Sequence, residues 1–293
     1  MALSGVVEEM KKHYADLRRF GAWKEGCRPV LGLDGCFLKT VCGGQLLLAV
    51  GRDENNSIFS VAMVVVESES YDSWKWFLMM LGDDLDFQYG YAHTFISDQQ
   101  KGLLKAVKEL FPHAEHRNCT RHIYSNLQGK HASEAVRNAL FEASTATQPQ
   151  AFKSAMKDLA KALKKAFDKM NELEPKVWSK AYFETHCKID STENNIPECF
   201  NSWILRSRYM PIINMLTEIH DMIMKKLHEK RDAMKPVDCI VLPRIKRILD
   251  DCVKESTECS VLWDGNTNFQ VKWRGIGFCV NWMNKLGAIG FGS

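Results

Sequence analysis

The sequence predicts an α/β fold, an α+β mixed sheet with helices on its faces, followed by a helical section. Three observations carry that prediction. Three short apolar runs near the start are separated by tight polar or glycine-rich links. Strand-like and helix-like stretches then alternate to about residue 128. From residue 131 to about 185 only helical periodicity remains, in a stretch rich in Ala and Lys. At 293 residues the chain is long enough for a substantial core. Its 45% hydrophobic and 26% charged residues exclude a disordered or collagen-like protein.

The elements follow in order. Residues 1–26 form a helical lead-in, with Val6, Val7, Met10, Tyr14, Leu17 and Phe20 at helical spacing. Pro29 to Leu33, Gln45 to Val50 and Ile58 to Val66 are three strands of an antiparallel meander, the last link being a hairpin turn through Asp53-Glu54-Asn55-Asn56. Trp74, Phe77, Leu78 and Leu81 mark a helix capped near Ser70 or Asp72. His93 to Ser97 is a fourth strand. Leu103, Leu104, Val107, Leu110 and Phe111 mark a helix stopped by Pro112, Ala114 to Arg117 a fifth strand, and Cys119 to Leu127 a helix. This β-β-β-α-β-α-β-α order is that of a ribonuclease H-like core. The domain division is then lead-in 1–26, first part of the core 27–130, an all-α section 131–190, a helical end of the core 191–235 and a C-terminal extension 236–293. Ile212, Met215, Leu216, Ile219, Met222, Ile223 and Leu227 form one core-facing stripe in the helical end. The fold of the last 30 residues is not readable.

Charge is unevenly placed. The net value is only +3, but Val66–Asp98 holds seven acidic residues against Lys75 alone, and Arg206–Arg247 holds ten Lys or Arg against five Asp or Glu. Solvated faces of opposite sign, or a metal site beside a polyanion track, both fit. No apolar run approaches the roughly 20 residues that span a bilayer. Charges throughout Met1–Phe20 are unlike a signal peptide, so a membrane partner is not expected. None of the ten cysteines lies in C-x-x-C spacing, as free thiols of a reducing compartment would have it.

Two carboxylates stand out. Asp34 lies where the first strand ends before Gly35, and Asp98 at the end of the fourth strand. In a ribonuclease H-like sheet these strands are neighbours, so the two acids meet at one sheet edge. Paired hard oxygens suit Mg²⁺ or Mn²⁺, and two such ions about 3.5–4 Å apart serve phosphodiester chemistry. A turn or capping role competes for each Asp alone. Glu198, in the first turn of a helix behind Pro197, is the best third carboxylate. The helix dipole also favours an acid there, and spacing alone does not choose it over Glu193. Cys119 and His122 form a C-x-x-H pair, with His113 and His116 close by. That is half of a tetrahedral zinc site, so zinc is not expected and packing competes equally.

Leu33-Asp34-Gly35-Cys36-Phe37-Leu38-Lys39 with Gly43-Gly44-Gln45-Leu46-Leu47, and Ser97-Asp98-Gln99-Gln100-Lys101-Gly102-Leu103, resemble blocks of the transposase domain of plant Mutator-like elements. So do Ala114-Glu115-His116-Arg117-Asn118-Cys119-Thr120-Arg121-His122-Ile123-Tyr124 and the later set Asn194-Asn195, Glu198, Phe200-Asn201 and Trp203-Ile204. The four blocks stand in the family's order over roughly Cys27–Lys230. The resemblance implies a DDE triad on Asp34, Asp98 and Glu198, with the C-x-x-H feature on Cys119 and His122 and an all-α insertion at 131–190. It implies metal-assisted attack by water at the element's ends, then attack by the freed 3′-hydroxyl on target DNA. Transposon ends and target DNA are the implied partners, a second copy or a full-length transposase an oligomeric one, and the nucleus the location. From charge and position, Lys101, Lys105, Arg117, Arg121, Arg206 and Arg208 are the expected phosphate contacts. Full-length relatives carry an N-terminal zinc-type module and a C-terminal SWIM finger. Here about 26 residues precede the first block, and only Cys279 and Trp282 resemble the start of such a finger. The expectation is a truncated copy. The alternatives are a domesticated, non-catalytic DNA-binding regulator or an inactive relic.

Overall fold

A computed structural model describes residues 19–293 apart from 42, 54, 56, 128–132, 188, 190, 236–242, 274, 284–285 and 292–293. Most of the expected lead-in helix lies outside the described residues. Its last part is α1 (Arg19–Gly26), which buries Trp23. Then come β1 (Cys27–Phe37), β2 (Gln45–Asp53), β3 (Ile58–Val66), α2 (Tyr71–Leu85), β4 (Thr94–Ser97), α3 (Lys101–Leu110), β5 (Glu115–Asn118) and α4 (Thr120–Leu127). The helical section is α5 (Glu134–Thr145), α6 (Pro149–Ala162), α7 (Lys164–Asn171) and two 3-10 turns. After it come α8 (Asn195–Trp203) and α9 (Ile212–Met234).

The first five strands form one mixed sheet in the order β3-β2-β1-β4-β5. β1–β2 and β2–β3 are antiparallel, while β1–β4 and β4–β5 are parallel. Side chains alternate across it as strand geometry requires. Leu31, Leu33, Leu47, Ala49 and Val61 face α2 and α3, where Trp74, Phe77, Leu78, Leu103 and Val107 close one core. Cys36, Leu46, Leu48 and Val50 face the other way, onto Ile196, Phe200 and Ile204 of α8 and Met215, Ile219 and Ile223 of α9. This accounts for the unbroken apolar run in β2, a strand covered on both faces. The helical section has its own core, with Leu140, Phe152, Leu159, Met170 and Trp178 buried.

Contacts divide the chain into two units, up to Val237 and from Asp238. The second holds α10 (Pro243–Ser256) and an antiparallel sheet of β6 (Ser260–Trp263), β7 (Asn268–Trp273), β8 (Ile276–Asn281) and β9 (Leu286–Phe291), in that order. So the region without a readable fold is β-structure. β6, just ahead of the last 30 residues, is exposed at all four positions. Among the described residues no helix is long and apolar enough to cross a membrane.

Candidate functional site

The pairing of β1 with β4 sets the geometry. Its register is Val30↔Thr94, Leu31↔Phe95 and Gly32↔Ile96. Two residues further, that register brings Asp34 level with Asp98. Asp34 does not end its strand, as its Asp-Gly sequence suggests. It pairs with Leu48, and the antiparallel ladder continues to Phe37↔Gln45. It is β4 that stops, at Ser97.

Both acids are held in place. Asn201 Nδ2 donates to Asp34 Oδ2 at 2.8 Å. The Gln100 backbone N–H donates to Asp98 Oδ1 at 3.0 Å, and the Gln100 side chain caps α3. Burial first and the Asp98 charge second, opposed by His122, together push the Asp34 carboxyl up to about 7.

A third acid at this edge is Glu69, just before α2, which sequence reasoning did not single out. A Cβ on Gly35 would fall 2.8 Å from Glu69 Oε2, so the missing side chain makes room for the carboxylate. Glu69 Oε1 accepts from Trp74 Nε1 at 3.0 Å. Burial first, and then Asp98, raise its pKa against that bond. Its only signal in the sequence is membership of the acidic stretch between Val66 and Asp98.

Glu198 arrives from the other side. It lies in the first turn of α8 and accepts from Arg121 Nη1 at 2.7 Å. Its carboxylate stands with Cys119 and His122, the three donor atoms all within 4.8 Å of one another. α8 is clamped to β1 by Asn194, whose Nδ2 donates to the Leu33 carbonyl at 2.8 Å and whose backbone N–H donates to Cys119 Sγ at 3.1 Å. Glu198 and Asn201 are three apart on this helix and share a face. One meets the Cys119–His122 pair, and the other meets Asp34. His122, near enough to affect Asp34, joins the two groups. Burial raises the Cys119 thiol, and backbone N–H groups at the start of α4 pull it down.

The donor set suits a hard divalent cation. Asp34, Asp98 and Glu69 are mutually repelling carboxylates. Asn201 adds a buried Oδ1 with no hydrogen-bond partner. Oxygen ligands of this kind favour Mg²⁺ or Mn²⁺.

The six expected phosphate contacts separate. Arg117 is fully buried, a correction to its expected role. Its guanidinium donates to Glu115 Oε2 at 2.7 Å, to the Ile189 carbonyl at 2.7 Å and to Cys187 Sγ at 3.3 Å. It ties the segment after the helical section to β5 and has no route to a phosphate. Arg121 is committed to Glu198 and to Asn195 Oδ1. Arg208 Nη1 donates to the Phe37 carbonyl at 3.2 Å. Lys105 lies over the Tyr71 ring, 4.2 Å from its centroid. Lys101 and Arg206 are exposed. The nearby histidines point elsewhere: His116 Nε2 bonds to Ser97 Oγ at 2.8 Å, and His113 stacks on Tyr91.

No curated protein matches the chain. Its residues 30–126, which contain Asp34, Asp98, Cys119 and His122 but not Glu198, match the family model of the MULE transposase domain, a similarity that covers about a third of the chain.

Proposed function

We propose that the first unit is the catalytic core of a DNA transposase, a ribonuclease H-like fold that cleaves and joins DNA strands with Mg²⁺ or Mn²⁺. The observation that carries this reading is the β1–β4 register, which levels Asp34 with Asp98 inside the segment similar to the MULE transposase domain. Asp34 and Asp98 hold the cations, and Glu198 completes the triad from α8. Bound there, a pair of such ions would supply activation of the attacking oxygen and stabilisation of the leaving one at phosphorus. Asn201 fixes the orientation of Asp34 through its 2.8 Å bond. Gln100 does the same for Asp98 from the cap of α3. Such positioning is most of what a protein contributes to phosphoryl chemistry. Lys101, Lys105 and Arg206 contact the DNA backbone, which makes binding salt-dependent. Transposon ends and target DNA are the substrates, the nucleus is the compartment, and a second copy or a longer relative is the assembly partner.

The test is a calorimetric Mn²⁺ titration of the chain beside its Asp98→Asn variant, followed by cleavage of duplex DNA. Mn²⁺ binding and cleavage in the parent, both lost in the variant, are expected. Equal cleavage by the two proteins overturns the assignment.

A further inference from the structure

The reaction proposed above gives Cys119 and His122 no task. Cys119 is fully buried immediately before α4, and His122 follows three residues later in the helix's first turn. Residues so spaced lie on one side of a helix. In sequence they are two ligands of an incomplete set. The fold adds Glu198 from α8, 76 positions after His122, and brings its carboxylate oxygen, Cys119 Sγ and a His122 ring nitrogen within 4.8 Å of one another. Around a tetrahedral zinc ion, with bonds of about 2.0–2.3 Å, ligand atoms stand roughly 3.3–3.8 Å apart. A contraction of about an ångström closes the set. His122 Nδ1 is buried and has no hydrogen-bond partner.

We propose that Cys119, His122 and Glu198 bind a zinc ion. Thiolate and imidazole with a single carboxylate select a borderline-soft ion over Mg²⁺. Three protein ligands leave the fourth position to water. Of the two Glu198 oxygens Arg121 engages Oε2, with Asn195 Oδ1 its other partner, and it is half-exposed, so Oε1 remains to the metal and the guanidinium can withdraw. A second grouping of the same three residue types, Glu115, His186 and Cys187, shows the contrast. There the Arg117 guanidinium already sits between Glu115 Oε2 and Cys187 Sγ, and the positive charge is in place.

The experiment titrates chelator-treated protein with Co²⁺ as a spectroscopic stand-in for zinc. A thiolate-to-cobalt charge-transfer band with tetrahedral d–d bands is expected, bleached by one equivalent of Zn²⁺. The charge-transfer band is lost in Cys119→Ser and persists in Asp98→Asn, which separates this site from the proposed catalytic one. Changes in a metal site's outer shell alone cost ~10–100-fold in affinity. Zinc binding by Glu198→Gln, a half-exposed position whose replacement leaves the core intact, is therefore expected to weaken by at least ~10-fold. No thiolate band in the parent, an undiminished band in Cys119→Ser, or equal zinc affinity in Glu198→Gln overturns the proposal. If Cys119→Ser does not fold, the Glu198→Gln comparison decides.

Discussion

Replacing Gly32 with Ala tests whether the seating of α8 on β1 builds the site. A Cβ at Gly32 falls 2.7 Å from Asn194 Oδ1, 2.7 Å from Pro197 Cδ and 2.8 Å from Pro197 Cγ. Ordinary carbon contacts are about 3.5–4.0 Å, so something must move by about 1 Å. The Pro197 ring is rigid, and Asn194 is tied to the Leu33 carbonyl, so neither yields as the tip of a long side chain would. Overpacking of this kind costs about 1–3 kcal/mol. Losing the buried Asn194–Leu33 bond adds about 1 kcal/mol. The sum is roughly 2–4 kcal/mol. At about 2–4 °C per kcal/mol for a unit of this size, Tm falls by roughly 5–15 °C. A 1 Å displacement of α8 also carries Asn201 off Asp34, and misplacement on that scale costs about 10²-fold in rate. The assay is a circular-dichroism melt of parent and variant, with Mn²⁺ calorimetry on both. Gly26→Ala is the control, since nothing lies within 4 Å of its added carbon. A Gly32→Ala protein that melts within ~2 °C of the parent and binds Mn²⁺ equally refutes the reasoning.

Other outcomes follow from the same contacts. Asp34 has a folded pKa of about 7 against an ordinary 3.8, so it takes up a proton on folding. Its stabilising contribution is complete below about pH 4 and is lost as the pH rises through 7. With chelator present, Asp34→Asn therefore raises stability at pH 8 by up to roughly 4 kcal/mol, at 1.36 kcal/mol per pKa unit, and raises Tm with it, and leaves both nearly unchanged near pH 4. A variant no more stable at pH 8 than the parent removes the argument. Arg117→Ala strands Glu115 without its buried partner and costs about 3–5 kcal/mol in urea melts. Arg206→Ala should leave those melts unchanged and lower the salt slope of duplex binding by ~0.9; the opposite pattern would reverse the two roles. Zinc on Glu198 draws on a ligand of the proposed Mn²⁺ site, so zinc-loaded protein should bind Mn²⁺ more weakly, and Mn²⁺ should weaken zinc by the same factor. Mn²⁺ isotherms that coincide with and without zinc would show that the two ions share no ligand.

Local patterning made the sheet legible, and tertiary partnership decided the rest. Gln45–Val50 stands where its apolar run places it, because a strand buried on both faces is an unbroken run. Asp34-Gly35 has the composition of a turn, yet the ladder from β2 continues through it. A pairing partner outweighs turn propensity, and nothing in the local residues reveals that partner. Arg117 shows the same limit from the other side. In a short polar strand it has every mark of a surface cation, but Glu115, Cys187 and two carbonyls hold its two terminal nitrogens inside the fold. Charge alone locates a residue in water only when nothing in the fold can answer it. The site divides along this line. Asp34 and Asp98 are visible because one lies within a readable strand and the other just after one. Cys119 and His122 were visible because three residues separate them. Glu69 was not, since its place depends on the absent side chain of Gly35, and Glu198 was chosen by resemblance because its neighbours come from a helix clamped by Asn194. In each proposed set two ligands are locally legible and the third, Glu198, arrives by topology. Replacing Gly32, which reaches the proposed ligands through the seating of α8, should therefore disturb both sets at once.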